Sequence, residues 1–141
     1  MRNMRRTTLI GMLVLTTFLV PRAAQATPPT GASITIASRV TIGHTEFVLG
    51  QITIRPGGQT GWRWSPGTVF AMVKSGTLTT VNAHCTAMTY PAGATLRQAR
   101  GAGHVHLGRN LGSRPVVVEI FYVAPAGSPL TVDAPNPNCC P

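Results

Sequence analysis

Polar and β-branched apolar residues alternate in Ser33-Ile34-Thr35-Ile36 and again in Gln51-Ile52-Thr53-Ile54. That is the pattern of a strand with one face in a core and the other in water. Val69 to Val73 and Val116 to Val123 are denser apolar runs, suited to strands buried on both faces or lining a barrel interior. In the second run, Phe121 and Tyr122 read as core and rim. Turn-forming clusters separate the runs: Pro56-Gly57-Gly58, Ser65-Pro66-Gly67, Ser75-Gly76, Pro91-Ala92-Gly93, Gly101-Ala102-Gly103 and Pro125-Ala126-Gly127. No long window carries a helical period. Short strands broken by turns at such intervals predict an all-β chain, a β-sandwich or jelly roll.

The N-terminus follows a different pattern. Arg2, Arg5 and Arg6 precede an uncharged, mostly apolar run from Leu9 to Val20, and small residues follow at Ala24-Gln25-Ala26. This is the layout of a secretory signal peptide, residues 1–26, cleaved after Ala26. The apolar run falls short of the roughly 20 residues a spanning helix needs, so no stable membrane span is expected after cleavage. The mature chain is expected to be secreted, or held in the periplasm or cell envelope.

Cleavage also changes the charge. Twelve Lys and Arg residues, less the four at positions 2, 5, 6 and 22, leave eight against Glu46, Glu119 and Asp133, so the balance falls from +9 to about +5. The remaining arginines stand singly, with no run and little aromatic interleaving, and nucleic acid is not an expected partner. Solubility, with some affinity for acidic envelope polymers, accounts for the charge. Three acidic residues leave little material for paired-carboxylate chemistry, and no Ser/His/Asp arrangement is apparent.

The most suggestive chemistry lies in Gly103-His104-Val105-His106. Read as a strand, the i, i+2 spacing projects both imidazoles to one face, a common beginning of a metal site. A bound divalent metal normally takes at least three side-chain ligands, however. Two groups of residues give the pair a context. Gly57, Arg63, Ser65, Val69 and Gly76 stand at the spacings of a Gly, His-x-His, Glu, Gly motif, while Gly93, Gly103, His106 and Asn110 match a second motif ending Gly-x-x-His-x-x-x-Asn. By these residues the chain resembles the cupins, most of all small exported single-domain cupins that also carry a cysteine-containing hairpin and a cysteine near the C-terminus. The resemblance implies a double-stranded β-helix in a single domain. A leader and first strand would occupy 27–45, the barrel 46–133 and a tail 134–141.

In metal-binding cupins the first motif supplies two histidines and a glutamate, and the second supplies the last histidine. Here only His106 falls on a ligand position. Arginine repels a metal, valine has no donor and a serine hydroxyl is a poor ligand, so Arg63, Ser65 and Val69 do not make the usual set. A remnant site on His104 and His106, completed by water or by His44 or His84, would hold zinc, copper, manganese or iron weakly. The resemblance also implies that residues 63 and 65 point into the barrel. A pocket of Arg63, Ser65, His104 and His106 would then grip a small anion, a carboxylate or phosphate. The plainer alternative has Arg63 turned to solvent, or paired with Glu119, around a closed core. Three functions follow: a non-catalytic exported protein binding a small carboxylated ligand, a metal-dependent oxygenase or isomerase with a remodelled site, or a structural or envelope-interaction protein.

Trp62 and Trp64 alternate with the pocket positions and so face the other way. They either pack under a neighbouring strand or loop, or form the face of a homodimer. Cys85, Cys139 and Cys140 remain after cleavage. Outside the cytosol an even subset oxidises, and adjacent cysteines rarely pair. Cys85 is therefore expected to bridge to Cys139 or Cys140, which leaves one thiol over.

Overall fold

The structure, a computed structural model, describes residues 25–139. The signal-peptide expectation falls almost wholly outside the described residues, as does Cys140. In chain order the strands are β1 (Thr30–Ile42), β2 (Thr45–Gln59), β3 (Arg63–Trp64), β4 (Thr68–Ser75), β5 (Thr77–Asn82), β6 (Ala87–Pro91), β7 (Thr95–Gln98), β8 (His106–Arg109), β9 (Val116–Pro125) and β10 (Val132–Asp133). One 3-10 turn, Ala102–His104, interrupts them. Among the described residues no helix is long and apolar enough to cross a membrane.

β2 organises the barrel. It pairs antiparallel with β1 on one side and β9 on the other, and β4 and β7 extend that sheet beyond β9. At its far end β2 meets β8 through Gln59↔Arg109, and β8 carries the second half, pairing with β3 and β5, which in turn pair with β10 and β6. The two halves enclose Val48, Ile54, Val69, Val73, Leu78, Val116, Val118, Ile120 and Tyr122. Each of these comes from the inward-facing alternate positions of its strand.

That alternation corrects two expectations. Val116 to Val123 is not buried on both faces. Its even-numbered residues point in, while Glu119 and Phe121 point out. Tyr122, read from the sequence as rim, is 2% exposed, and Phe121, read as core, is 39% exposed. In an uninterrupted apolar run nothing local marks the parity, and the pairing with β2 decides it.

A second cluster lies outside the barrel. Trp62 is 3% exposed and packs with Val81, Leu107, Ala134 and Cys139, with Trp64 and Val105 against them. The tryptophans therefore pack under the C-terminal tail, the first of the two expected alternatives. Cys85 and Cys139 form a disulfide across 54 residues, and in the chain-entropy model a loop of that length stabilises the fold by roughly 4 kcal/mol.

The motif residues Gly76 and Asn110 act on the backbone. Gly76 has φ +73, and a Cβ there would stand 2.8 Å from the Pro115 carbonyl oxygen, so only glycine joins β4 to β5 in this way. Asn110 is 1% exposed. Its Nδ2 donates to the carbonyls of Ile54 at 2.9 Å and Arg114 at 2.7 Å, and its Oδ1 accepts from the Gly112 amide at 2.9 Å. Its backbone exchanges bonds with Gly57 and Gly58. One side chain thus ties the end of β2 to the loop after β8. Asn110→Ala strands three backbone groups, the buried Ile54 carbonyl among them, and should lower unfolding free energy by about 2 kcal/mol. Urea denaturation of the variant against the wild type measures this, with little change expected in the slope.

Candidate functional site

β3 is only two residues long, held between β10 and β8 by Asp133↔Arg63 and Arg63↔His106. This register turns Arg63 inward beside His106. The two residues line a cavity of about 50 Å³ inside the barrel, together with Ser65, Val69, Gln98 and Tyr122. Aliphatic side chains, among them Ile54, Leu96, Val118 and Ile120, form much of the remaining wall. A wider cleft of about 380 Å³ lies outside and shares Thr80, Leu96, Gln98 and His106 with the inner cavity, and His84 and His104 line that outer cleft.

The electrostatics follow from burial. Removal from water pulls the Arg63 guanidinium below its ordinary range, with the Tyr122 phenol and Asp133 acting in the opposite sense. Among the described residues the one ion pair joins Arg39 to Glu46. Asp133 is exposed and does not reach Arg63, and Glu119 lies on the outer face of β9. Arg63 is thus neither turned to solvent nor paired with Glu119. Burial likewise pushes the Tyr122 phenol up, opposed by the nearby Arg63 charge. Burial lowers His106 most; its bond to the His104 carbonyl opposes this, while the Arg63 and His104 charges add to the lowering.

Ser65 is buried, and its hydroxyl donates to the Leu130 carbonyl at 2.9 Å. It offers the cavity lone pairs, not a proton. His104 departs from the sequence expectation. Gly101 takes φ 104 and the chain enters the 3-10 turn, so residues 103 and 104 are not strand and His104 is exposed. His104 meets His106 through its backbone carbonyl, 3.0 Å from Nδ1, and not as a second imidazole on a shared strand face.

The same placement bears on the metal. Among the described residues no three His, Cys, Asp or Glu side chains converge. The positions that hold ligands in metal cupins carry a cation, a hydroxyl already committed to a carbonyl, and a valine. The donor set does not fit a divalent metal in the cavity.

Sequence reading missed Tyr122 and Gln98. Tyr122 was hidden by the parity ambiguity of its run. Gln98 faces Val69 across the β4–β7 pair, and only that long-range register brings it to the cavity.

Two half-sheets closed into a barrel with a small central cavity define a double-stranded β-helix, and comparison with solved structures gives it the cupin fold. A double-stranded β-helix protein from Klebsiella pneumoniae superposes with TM-score 0.56 at 19% identity, covering 76% of this chain and 84% of that one. A cupin domain from Bordetella pertussis gives TM-score 0.54 at 17% identity over 70% and 97% of the two chains. The polyketide cyclase RemF from Streptomyces resistomycificus gives TM-score 0.60 at 14% identity over 87% and 90%. No family model matches the chain, and no curated protein is similar to it in sequence.

His106 has a measurable signature. Its folded-state affinity for a proton is lowered, so between the ordinary imidazole value of about 6.5 and the lower native one, the unfolded chain binds the proton and the folded chain does not. Stability should therefore fall as pH drops below about 6.5. His106→Phe should flatten that segment of the curve relative to wild type, read as the difference between denaturation midpoints at pH 7.5 and 5.5.

Proposed function

We propose that the protein is an exported, non-catalytic cupin that binds a small carboxylate in its barrel, with Arg63 as the anchoring charge. One observation carries this reading: a desolvated guanidinium lines an internal cavity and makes no side-chain hydrogen bond or ion pair with any described residue. A cation half-buried without a partner has lost part of its hydration, and a bound carboxylate would offset that loss with a bidentate, charge-assisted pair. Export is supported by the basic, apolar and small-residue order of the first 26 residues and by the Cys85–Cys139 bridge, a feature of oxidising compartments. Propanoate should raise the melting temperature of the wild type. The shift should grow with concentration and reach the equivalent of about 2.7 kcal/mol at a hundred times the dissociation constant. Arg63→Met should abolish the shift, and a variant that responds as the wild type does would overturn the reading.

A second copy of the chain is the partner that the outer face supports. Cross-strand neighbours place Val40 and Ile42 of β1, Leu49 of β2, Phe121 of β9 and Phe70 and Met72 of β4 on that face, each between 39% and 67% exposed. Phe47 stacks on Phe121 with ring centroids 6.2 Å apart. A contiguous apolar patch on the order of 500 Å² is at the upper end of what a monomer leaves uncovered. Arg97 and Glu119 lie in the same groove, so a two-fold axis would set each against its opposite in the other copy. Light scattering should report a dimer at micromolar concentration and a monomer for Phe121→Asp. A monomeric wild type would exclude the arrangement.

A further inference from the structure

The geometry points to a ligand class, resting on the anion-binding reading above: we propose that the cavity takes a small 2-hydroxycarboxylate, its carboxylate on Arg63 and its hydroxyl donating to His106 Nε2. His106 Nδ1 lies 3.0 Å from the His104 carbonyl. A carbonyl oxygen can only accept, so Nδ1 carries the hydrogen. In the neutral ring Nε2 is then a bare acceptor. Burial, with the Arg63 and His104 charges close by, disfavours a second proton on the ring. Among the described residues no side chain donates to Nε2, and the Ser65 hydroxyl in the same cavity is held by the Leu130 carbonyl. Arg63 and His106 thus line the cavity from paired positions on adjoining strands, and neither the guanidinium nor Nε2 has a side-chain partner among the described residues. A plain carboxylate satisfies the first and leaves the second empty; a carboxylate with a neighbouring hydroxyl satisfies both.

Size and wall chemistry narrow the class. A volume of about 50 Å³ is small, a few times the roughly 10–15 Å³ that one water needs, and confines the ligand to a handful of non-hydrogen atoms, the class of acid to which lactate belongs. Inorganic phosphate is as small and also carries a hydroxyl. It would bring four oxygens against walls that include Ile54, Val69, Val118 and Ile120, where a lactate places a methyl group.

The first comparison uses the wild type alone. Isothermal titration of the wild type with lactate, propanoate, 2-methoxypropanoate and inorganic phosphate separates the contributions. Propanoate lacks the hydroxyl, and the methoxy acid keeps the oxygen but not the proton. Lactate should bind at least tenfold more tightly than each of the other three, because each leaves a polar group of the site unpaired or misplaced. His106→Phe should bring lactate down to propanoate while propanoate binding persists. Lactate no tighter than 2-methoxypropanoate, or phosphate as tight as lactate, would overturn the hydroxy-acid class yet leave the Arg63 reading standing as long as propanoate binds. No binding by any of the four anions, or binding unchanged in Arg63→Met, would overturn that underlying reading instead.

Discussion

Ten consecutive residue pairs, from Thr45↔Pro125 to Ile54↔Val116, set the parity on which the rest of the molecule depends. β2 and β9 are the two long central strands, and once their register is chosen every neighbour inherits a face. Val118, Ile120 and Tyr122 are committed to the interior and Phe121 to the exterior. β4 then takes its own alternation from β9, which puts Val69 and Val73 inside and Phe70 and Met72 outside. A slip of one residue would exchange the cavity wall for the solvent face. The barrel and the apolar outer patch are thus two sides of one choice.

Within that frame the interior carries the opposite electrostatics to a metal centre. Metal ligands are neutral or anionic groups gathered round a cation. Here the cation is covalently part of the wall, and the one histidine lining the cavity is lowered in proton affinity and bonded to a backbone carbonyl. Arg63 draws negative charge towards a place that would otherwise demand a positive ion. The aliphatic lining, Val69 included, keeps water scarce and so raises the strength of whatever polar contact forms there.

Much of this was legible in the sequence, for identifiable reasons. The alternation in 33–36 and 51–54 and the glycine- and proline-rich breaks specify an all-β chain, because both are local signals. The motif spacing placed Arg63, Ser65 and His106 on the cavity wall. What local pattern could not supply was parity inside an uninterrupted apolar run, which hid Tyr122 and exchanged its place with Phe121. It also could not show that Gly101 would take a positive φ and bend residues 102–104 into a turn, which removed His104 from the strand that its spacing with His106 suggested. Gln98 depends on a pairing between segments almost thirty residues apart, and no local signal reports that.

The Cys85–Cys139 bridge reaches further than the tail it fastens. Cys85 sits at the tip of the β5–β6 hairpin, where Asn82 Oδ1 accepts from the amides of His84 and Thr86, and its neighbours, residues 80–84 and 86, border the outer cleft. The covalent tie therefore anchors the rim of the opening as well as the C-terminus. A rim tied in this way surrenders conformational freedom when the bridge forms, and any molecule entering there would lose little affinity to ordering it.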